Sequence, residues 1–319
     1  MKKIWLDGMM GVVVGDALGM PVQFMARHEV KANPVTGMEG YGTYNMPPGT
    51  WSDDSSMALA TLVSIREKQG IDYDDIMERF VRWTMYGEYT PAGIAFDQGA
   101  TCMGAINNYI EGRNYKTCGK VGERANGNGA LMRIMPVCLY SYEEYQAGNV
   151  TLAEALEYVH QVSALTHNHL RSKIGCGIYY FMISNLLDGE GSLRERLQAG
   201  VDEAIKFYHE DSNNHDDNHD ELAHYSRLFH LDEFRKCNED EIKSSGYVVA
   251  SLEAAVWSLI TTDTLEASLL KAVNLGDDAD TVGAIAGGLA GVYYGYDAIP
   301  GEWREEIIKR EWIEKITTI

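Results

Sequence analysis

Residues 276–295, GDDADTVGAIAGGLAGVYYG, place Asp277, Asp278, Asp280 and Thr281 ahead of an apolar run in which Val282, Ile285, Leu289 and Val292 recur at the spacing of one helical face. The residues between them are mostly Gly and Ala, small enough to let a second helix approach closely. The same spacing recurs at Leu59, Leu62 and Val63, at Leu152, Leu156, Val159 and Val162, and at Leu252, Val256 and Leu259. Sustained alternation of period two, the mark of a half-buried strand, is absent, and the chain holds only 7 prolines. The chain is therefore read as all-α, a compact orthogonal multi-helix arrangement formed by residues 1–319 as a single domain. Loop lengths between the periodic segments vary too widely for a regular four-helix bundle.

Charge narrows the function classes. Lys and Arg number 27 against 47 Asp and Glu, a formal charge of −20, so binding driven by a nucleic-acid backbone is not expected. An acidic protein that handles a phosphorylated ligand has to screen that ligand with cations or with backbone N–H groups at helix starts. The N-terminal stretch MKKIWLDGMMGVVVGDALG is interrupted by Asp7 and Asp16 and is too short for a membrane span. Cys102, Cys118, Cys138, Cys176 and Cys237 are odd in number and lack CxxC spacing, which suggests neither a disulfide framework nor a zinc site and points to a reducing cytoplasm. No repeat of 20 to 50 residues is evident. The tract from 209 to 220, HEDSNNHDDNHD, has no apolar residue and is read as a solvated insertion, although such a tract can also bind metal.

Two segments combine acidic residues with a hydroxyl at a helix start. In GTWSDDSSMALATLV, 49–63, Ser52, Asp53 and Asp54 stand just before a periodic helix, and Asp278, Asp280 and Thr281 stand in the same relation to the later one. Singly, each is ordinarily a cap facing the positive end of a helix dipole. Face to face, their carboxylates would repel and rise in pKa unless cations balanced them. Oxygen donors without His or Cys suit magnesium, calcium or manganese rather than zinc.

Six segments in order, GVVVGDALGMPVQF (11–24), TWSDDSSM (50–57), GNGALMRIMPV (127–137), LTHNH (165–169), SGYVVASLEAAVWSL (245–259) and GDDADTVGAIAGGLAGVYYG (276–295), resemble the successive motifs of the ADP-ribosylglycohydrolase family. The resemblance covers roughly residues 5–300. It implies an all-α fold around two divalent cations, Mg2+ or Mn2+, with Ser52, Asp53 and Asp54 as ligands from one side and Asp278, Asp280 and Thr281 from the other. Asp277 stands where the family usually has Gly and is left out of the ligand set. In such enzymes the metals engage the hydroxyls of the ribose being cleaved and position a water, with Asp53 or Asp54 as proton acceptor.

The resemblance also implies the ligand's surroundings. Gly127, Asn128 and Gly129 look like the family's loop near the phosphates and adenosine, and His167 would face the diphosphate or the proximal ribose. Tyr247 would stack on adenine or pack in the core. Asp97, in FDQGAT, is similar to a family position near the scissile bond and suits an arginine guanidinium leaving group. Gln23 stands where family members often have Glu, and its amide can hold a water or a substrate hydroxyl but cannot accept a proton as a carboxylate does. Asp16 is read as structural or as orienting a ligand residue. The expected reaction is hydrolysis of the glycosidic bond between ADP-ribose and an acceptor, which is an arginine or serine side chain or a small molecule. Two alternatives stay open: a non-catalytic ADP-ribose binder, which Gln23 motivates, and a binuclear-metal nucleotide phosphohydrolase.

Overall fold

The computed structural model describes residues 3–210 and 215–318. Its α-helices of eight or more residues are, in chain order, α1 (Ile4–Gly19), α2 (Asp53–Lys68), α3 (Tyr73–Tyr86), α4 (Ala100–Gly112), α5 (Met135–Gln146), α6 (Leu152–Ala164), α7 (Leu170–Asp188), α8 (Leu193–Glu210), α9 (His215–Leu222), α10 (Val248–Ile260), α11 (Leu265–Val273), α12 (Ala279–Tyr294) and α13 (Arg310–Thr318). Among the described residues there is no β-strand, only isolated bridges pairing Lys120 with His167 and Gly127 with Tyr247. Each run picked out by apolar spacing is a helix: the four fall in α2, α6, α10 and α12.

At the centre lie α1 and α12. In α1 every residue but Asp7 is buried, and α12 is buried from Ala279 to Val292. A helix apolar on all sides has to sit inside the protein, and its neighbours decide which residues it can carry. The two run antiparallel along a seam of small residues. A methyl group on Gly11 would stand 2.0 Å from the carbonyl oxygen of Gly287, one on Gly15 2.0 Å from that of Gly283, and one on Gly291 2.1 Å from that of Asp7. Backbone therefore touches backbone, and only glycine fits. Because the seam is antiparallel, the end of α1 is delivered to the start of α12, where Gly19 abuts Ala279.

Around this pair, α10 is buried over its whole length, and Tyr179 of α7 donates its hydroxyl to the Ile285 carbonyl at 3.1 Å. Outer helices are two-faced: α3 buries Ile76, Met77, Phe80 and Trp83 along one stripe. One contiguous apolar core runs from Ile4 to Ile313. The polar tract at 209–220 differs from a solvated loop where it is described. His209 and Glu210 close α8, and α9 begins at His215, while 211–214 lie outside the described residues. The physical reason lies just downstream, where buried Leu222, Tyr225 and Leu228 tie the segment to the core.

Substituting Gly287→Ala is expected to force the seam apart and destabilise the protein by ~1–3 kcal/mol, the usual range for overpacking. Gly112→Ala, at a position with nothing within 4 Å, is the control, and its thermal midpoint should match or slightly exceed that of the wild type. Equal midpoints for Gly287→Ala and the wild type would refute the close-contact account.

Candidate active site

The start of α2 is fixed to α1 by Asp16. Its Oδ1 accepts from Ser52 N at 2.9 Å, and its Oδ2 accepts from Ser55 N at 3.0 Å and from the Ser55 hydroxyl at 2.5 Å. Asp16 thus orients the acidic turn, as its sequence context suggested. Since α1 also carries the start of α12, both acidic turns meet: Thr281 Oγ1 donates to Asp54 Oδ2 at 3.3 Å across 227 positions of sequence. Carboxylate oxygens of Asp16, Asp54 and Asp280 all lie within 4.8 Å of one another. Ser52 adds its hydroxyl, donating to Asp54 Oδ2 at 3.0 Å.

Burial and crowding act in one direction on these acids. Asp16, Asp53, Asp54, Asp278 and Asp280 are all buried. Burial pushes Asp16 up to about 6, even though Ser52 and Ser55 donate to it. Asp53 is raised well above the usual carboxylate range by burial, then by the charges of Asp97 and Asp54, and Asp54 by burial, then by Asp16 and Asp278. Asp280 is lifted by burial, then by Asp54 and Asp278. Asp278 also rises through burial, held back by the hydrogen bond from Asn128 and pushed further by the charge of Asp97. Two oxygens in the cluster, Asp54 Oδ1 and Asp280 Oδ2, are buried without a hydrogen-bond partner. Unsatisfied acceptors on crowded carboxylates are what hard cations remove, so this donor set fits a magnesium- or manganese-type ion.

Above the cluster opens a cavity of about 250 Å³, whose wall includes Gln23, Asp53, Asp97, the 127–129 loop, His167, Asp278 and Thr281. Nine of the residues singled out in the sequence are thereby brought to one space, with Ser52, Asp54 and Asp280 grouped in the acidic turns beside it. Asn128 differs in detail from its expected role. Its amide nitrogen donates to Asp278 Oδ2 at 2.6 Å and to Ser251 Oγ at 2.9 Å. With both amide hydrogens used, it offers a ligand only its carbonyl oxygen, which suits a ribose hydroxyl and not a phosphate. Gly127 and Gly129 press on His167: a methyl group on Gly129 would stand 2.8 Å from the ring's Cε1. His167 is held by Thr166, whose hydroxyl lies 2.8 Å from Nδ1 and accepts from Arg133 Nη2 at 2.8 Å. Burial, then the Arg133 charge, lowers its pKa to about 3, so the ring is neutral at ordinary pH. Tyr247 stands apart. It precedes α10 with its hydroxyl 3.1 Å from Arg171 Nη1, and its neighbour Gly246 forms the cavity wall instead.

Several contributors carried no signal in the sequence. Arg133 reads as a lone charge in an apolar run, yet it is fully buried beneath His167. Phe24, 63% exposed at the cavity edge, has φ +64, and it meets Asp277, which the sequence did mark as standing where the family usually has Gly and which has φ +59. The two left-handed turns clasp one another, Phe24 N donating to Asp277 O at 2.6 Å and Asp277 N to Met25 O at 2.8 Å. That clasp sets Gln23 beside Asp278.

The ADP-ribosylglycohydrolase family model matches residues 5–318. The chain belongs to the ADP-ribosylglycohydrolase family. It is a glycohydrolase by that membership. It is 32% identical over 305 residues to the ADP-ribosyl-[dinitrogen reductase] glycohydrolase of Rhodospirillum rubrum, covering 95% of this chain and 89% of that one. An ADP-ribosylarginine hydrolase of Serratia proteamaculans is 31% identical over 308 residues, 97% of this chain and 76% of the other. A solved ADP-ribosylglycohydrolase-related protein complex superposes with a TM-score of 0.77 at 29% identity, over 99% of this chain and 95% of its own. Family membership puts the departures in context: Asp277 occupies a left-handed position that glycine fills at no steric cost and that Asp tolerates.

The raised carboxyls set a pH dependence. Groups whose pKa is higher folded than unfolded contribute stability that is complete below the unfolded value and lost as pH rises through the folded one. Chelated protein is therefore expected to lose this contribution from about pH 4, the unfolded value, through the folded value of about 6 for Asp16 and above. Asp54→Asn should flatten that loss in melts recorded with chelator, and added Mg2+ or Mn2+ should raise the midpoint of wild type more than that of the variant. Parallel pH profiles for the two proteins would contradict the electrostatic account.

Proposed function

We propose that this protein hydrolyses the glycosidic bond joining the anomeric carbon of ADP-ribose to an acceptor, an arginine or serine side chain or a small molecule, and releases ADP-ribose. The observation that carries this reading is the pair of buried, unpartnered oxygens, Asp54 Oδ1 and Asp280 Oδ2, on two helix starts that face each other beside the cavity. Ser52, Asp53, Asp54, Asp278, Asp280 and Thr281 would hold two hard divalent cations, Mg2+ or Mn2+. When bound, such ions supply Lewis-acid polarisation and a template for the ribose hydroxyls.

The chain's own groups divide the remaining work. Asp53 lines the cavity, whereas Asp54 accepts from Ser52 and Thr281 within the cluster, so Asp53 is the proton acceptor for the attacking water. Gln23, a neutral amide in the same wall, does not take that proton. Asp97 acts near the leaving group, where a carboxylate pairs with a guanidinium. His167, neutral and anchored through Thr166, meets the diphosphate side as a hydrogen-bonding group without charge. Tyr247 adjoins the wall residue Gly246, and its ring would meet the adenine end of a ligand that extends past the cavity. The five free cysteines support a reducing, cytoplasmic setting. No described helix is long and apolar enough to cross a membrane.

The test is release of ADP-ribose from modified arginine and serine peptides with added Mg2+ or Mn2+, repeated with chelator. Turnover that chelation abolishes and metal restores is the expected result. Asp53→Asn should lower kcat by ~10²-fold or more, the scale of a lost general base. Tight calorimetric binding of ADP-ribose with no turnover on any acceptor would instead identify a binder, and release of AMP or phosphate a phosphohydrolase.

A further inference from the structure

We infer that Tyr44 is a positioning residue for this hydrolysis, holding the Asp97 carboxylate at the cavity wall from a turn that also fixes Gln23. The inference rests on the functional reading above. Tyr44 lies in the turn at 41–45, a stretch without helical spacing whose shape comes from backbone bonds: Tyr41 N donates to Met46 O at 2.6 Å and Asn45 N to Gly42 O at 3.1 Å. The turn is pinned to the Gln23 segment. Thr43 N donates to Pro21 O at 2.9 Å, Thr43 Oγ1 donates to Gln23 O at 2.6 Å, and a methyl group on Gly42 would stand 1.7 Å from Pro21 O. Nothing but glycine allows that approach.

From this anchored turn the Tyr44 hydroxyl donates to Asp97 Oδ1 at 2.6 Å, the length of a charge-assisted bond. The Tyr44 ring packs on Phe96, centroids 5.2 Å apart at 52°. Asp97 needs such support. It sits at φ +53 in the irregular stretch before α4, a conformation that persists only where surrounding contacts over-determine it. Among the described residues, Tyr44 is the group that hydrogen-bonds its side chain. Burial and the neighbouring carboxylates push the Tyr44 phenol far up, so it keeps its proton and remains a donor. With Oδ1 occupied, Oδ2 is the oxygen that Asp97 presents to a leaving group. One turn therefore ties the two flanks of the cavity, Gln23 and Asp97, that no helix connects.

A double-mutant cycle on an ADP-ribosylated arginine peptide tests this. Tyr44→Phe keeps the ring contact and removes only the hydroxyl. It should lower kcat by roughly 10- to 100-fold, the scale for groups that orient a functional side chain from behind. KM, the calorimetric affinity for ADP-ribose and the thermal midpoint should stay near wild type. In an Asp97→Asn background, Tyr44→Phe should cause no further loss, because its effect passes through that carboxylate. A kcat for Tyr44→Phe within twofold of a turning-over wild type, a loss that multiplies with Asp97→Asn, or an equal fall in ADP-ribose affinity would overturn the assignment and leave the functional reading standing. Absence of turnover by the wild type on every acceptor would overturn both.

Discussion

The site depends on a repulsion that the scaffold has to contain. Carboxylates about 5 Å apart oppose one another by roughly 3 kcal/mol per ionised pair at an effective dielectric near 20, and several such pairs meet where α2 and α12 begin. Left to themselves the two turns would separate. They are held by the glycine seam between α1 and α12, which admits no slack, and by Asp16, itself one of the clustered carboxylates, whose oxygens grip the first turn of α2 through Ser52 and Ser55. Close backbone packing thus stores an electrostatic tension that protons relieve at low pH and that hard cations would relieve at neutral pH. The positive ends of both helix dipoles add a smaller, fixed relief in the same place.

This arrangement explains why so much was legible from one chain. Val282, Ile285, Leu289 and Val292 announce a helix because burial demands that spacing. Gly and Ala between them announce a close neighbour because nothing larger fits, and Asp-Asp before an apolar run announces a helix start. What spacing cannot report is which helix is the neighbour. That Gly283 and Gly287 answer Gly15 and Gly11 is a fact of three dimensions, and the convergence of Asp54 with Asp280 follows from it.

The parts that stayed hidden share a physical character. Tyr44 and Phe24 act from turns, where shape comes from individual backbone bonds and left-handed φ values instead of a repeating pattern. Arg133 acts through Thr166 on His167, a chain of contacts that begins inside a helical run and has no local signature. Asn128 was legible as a polar residue between glycines, but its role changes once both amide hydrogens are seen to be committed to Asp278 and Ser251. The same holds for the described part of 209–220, where polar composition suggested a solvated insertion and the anchoring Leu222, Tyr225 and Leu228 lie beyond the tract itself.

Gln23 shows how one neutral side chain settles the division of labour. Its neutral side chain shares the cavity wall with Asp278, and its carbonyl oxygen, Oε1, is buried without a protein partner. A carboxylate at that position would add one more negative charge to a cluster already strained by five, and it would put a repulsive neighbour in the wall that Asp278 shares. With an amide there, Asp278 is steadied by Asn128 without a further charge beside it, and on the proposed reading the base for water comes from elsewhere in the wall. Asp53 is the buried carboxylate of the α2 start that faces the cavity, and its raised basicity comes from burial, Asp97 and Asp54. On the proposed reading, proton transfer then falls to the α2 turn, and Oε1 would serve as an acceptor for a substrate hydroxyl or a water, a role that requires no charge.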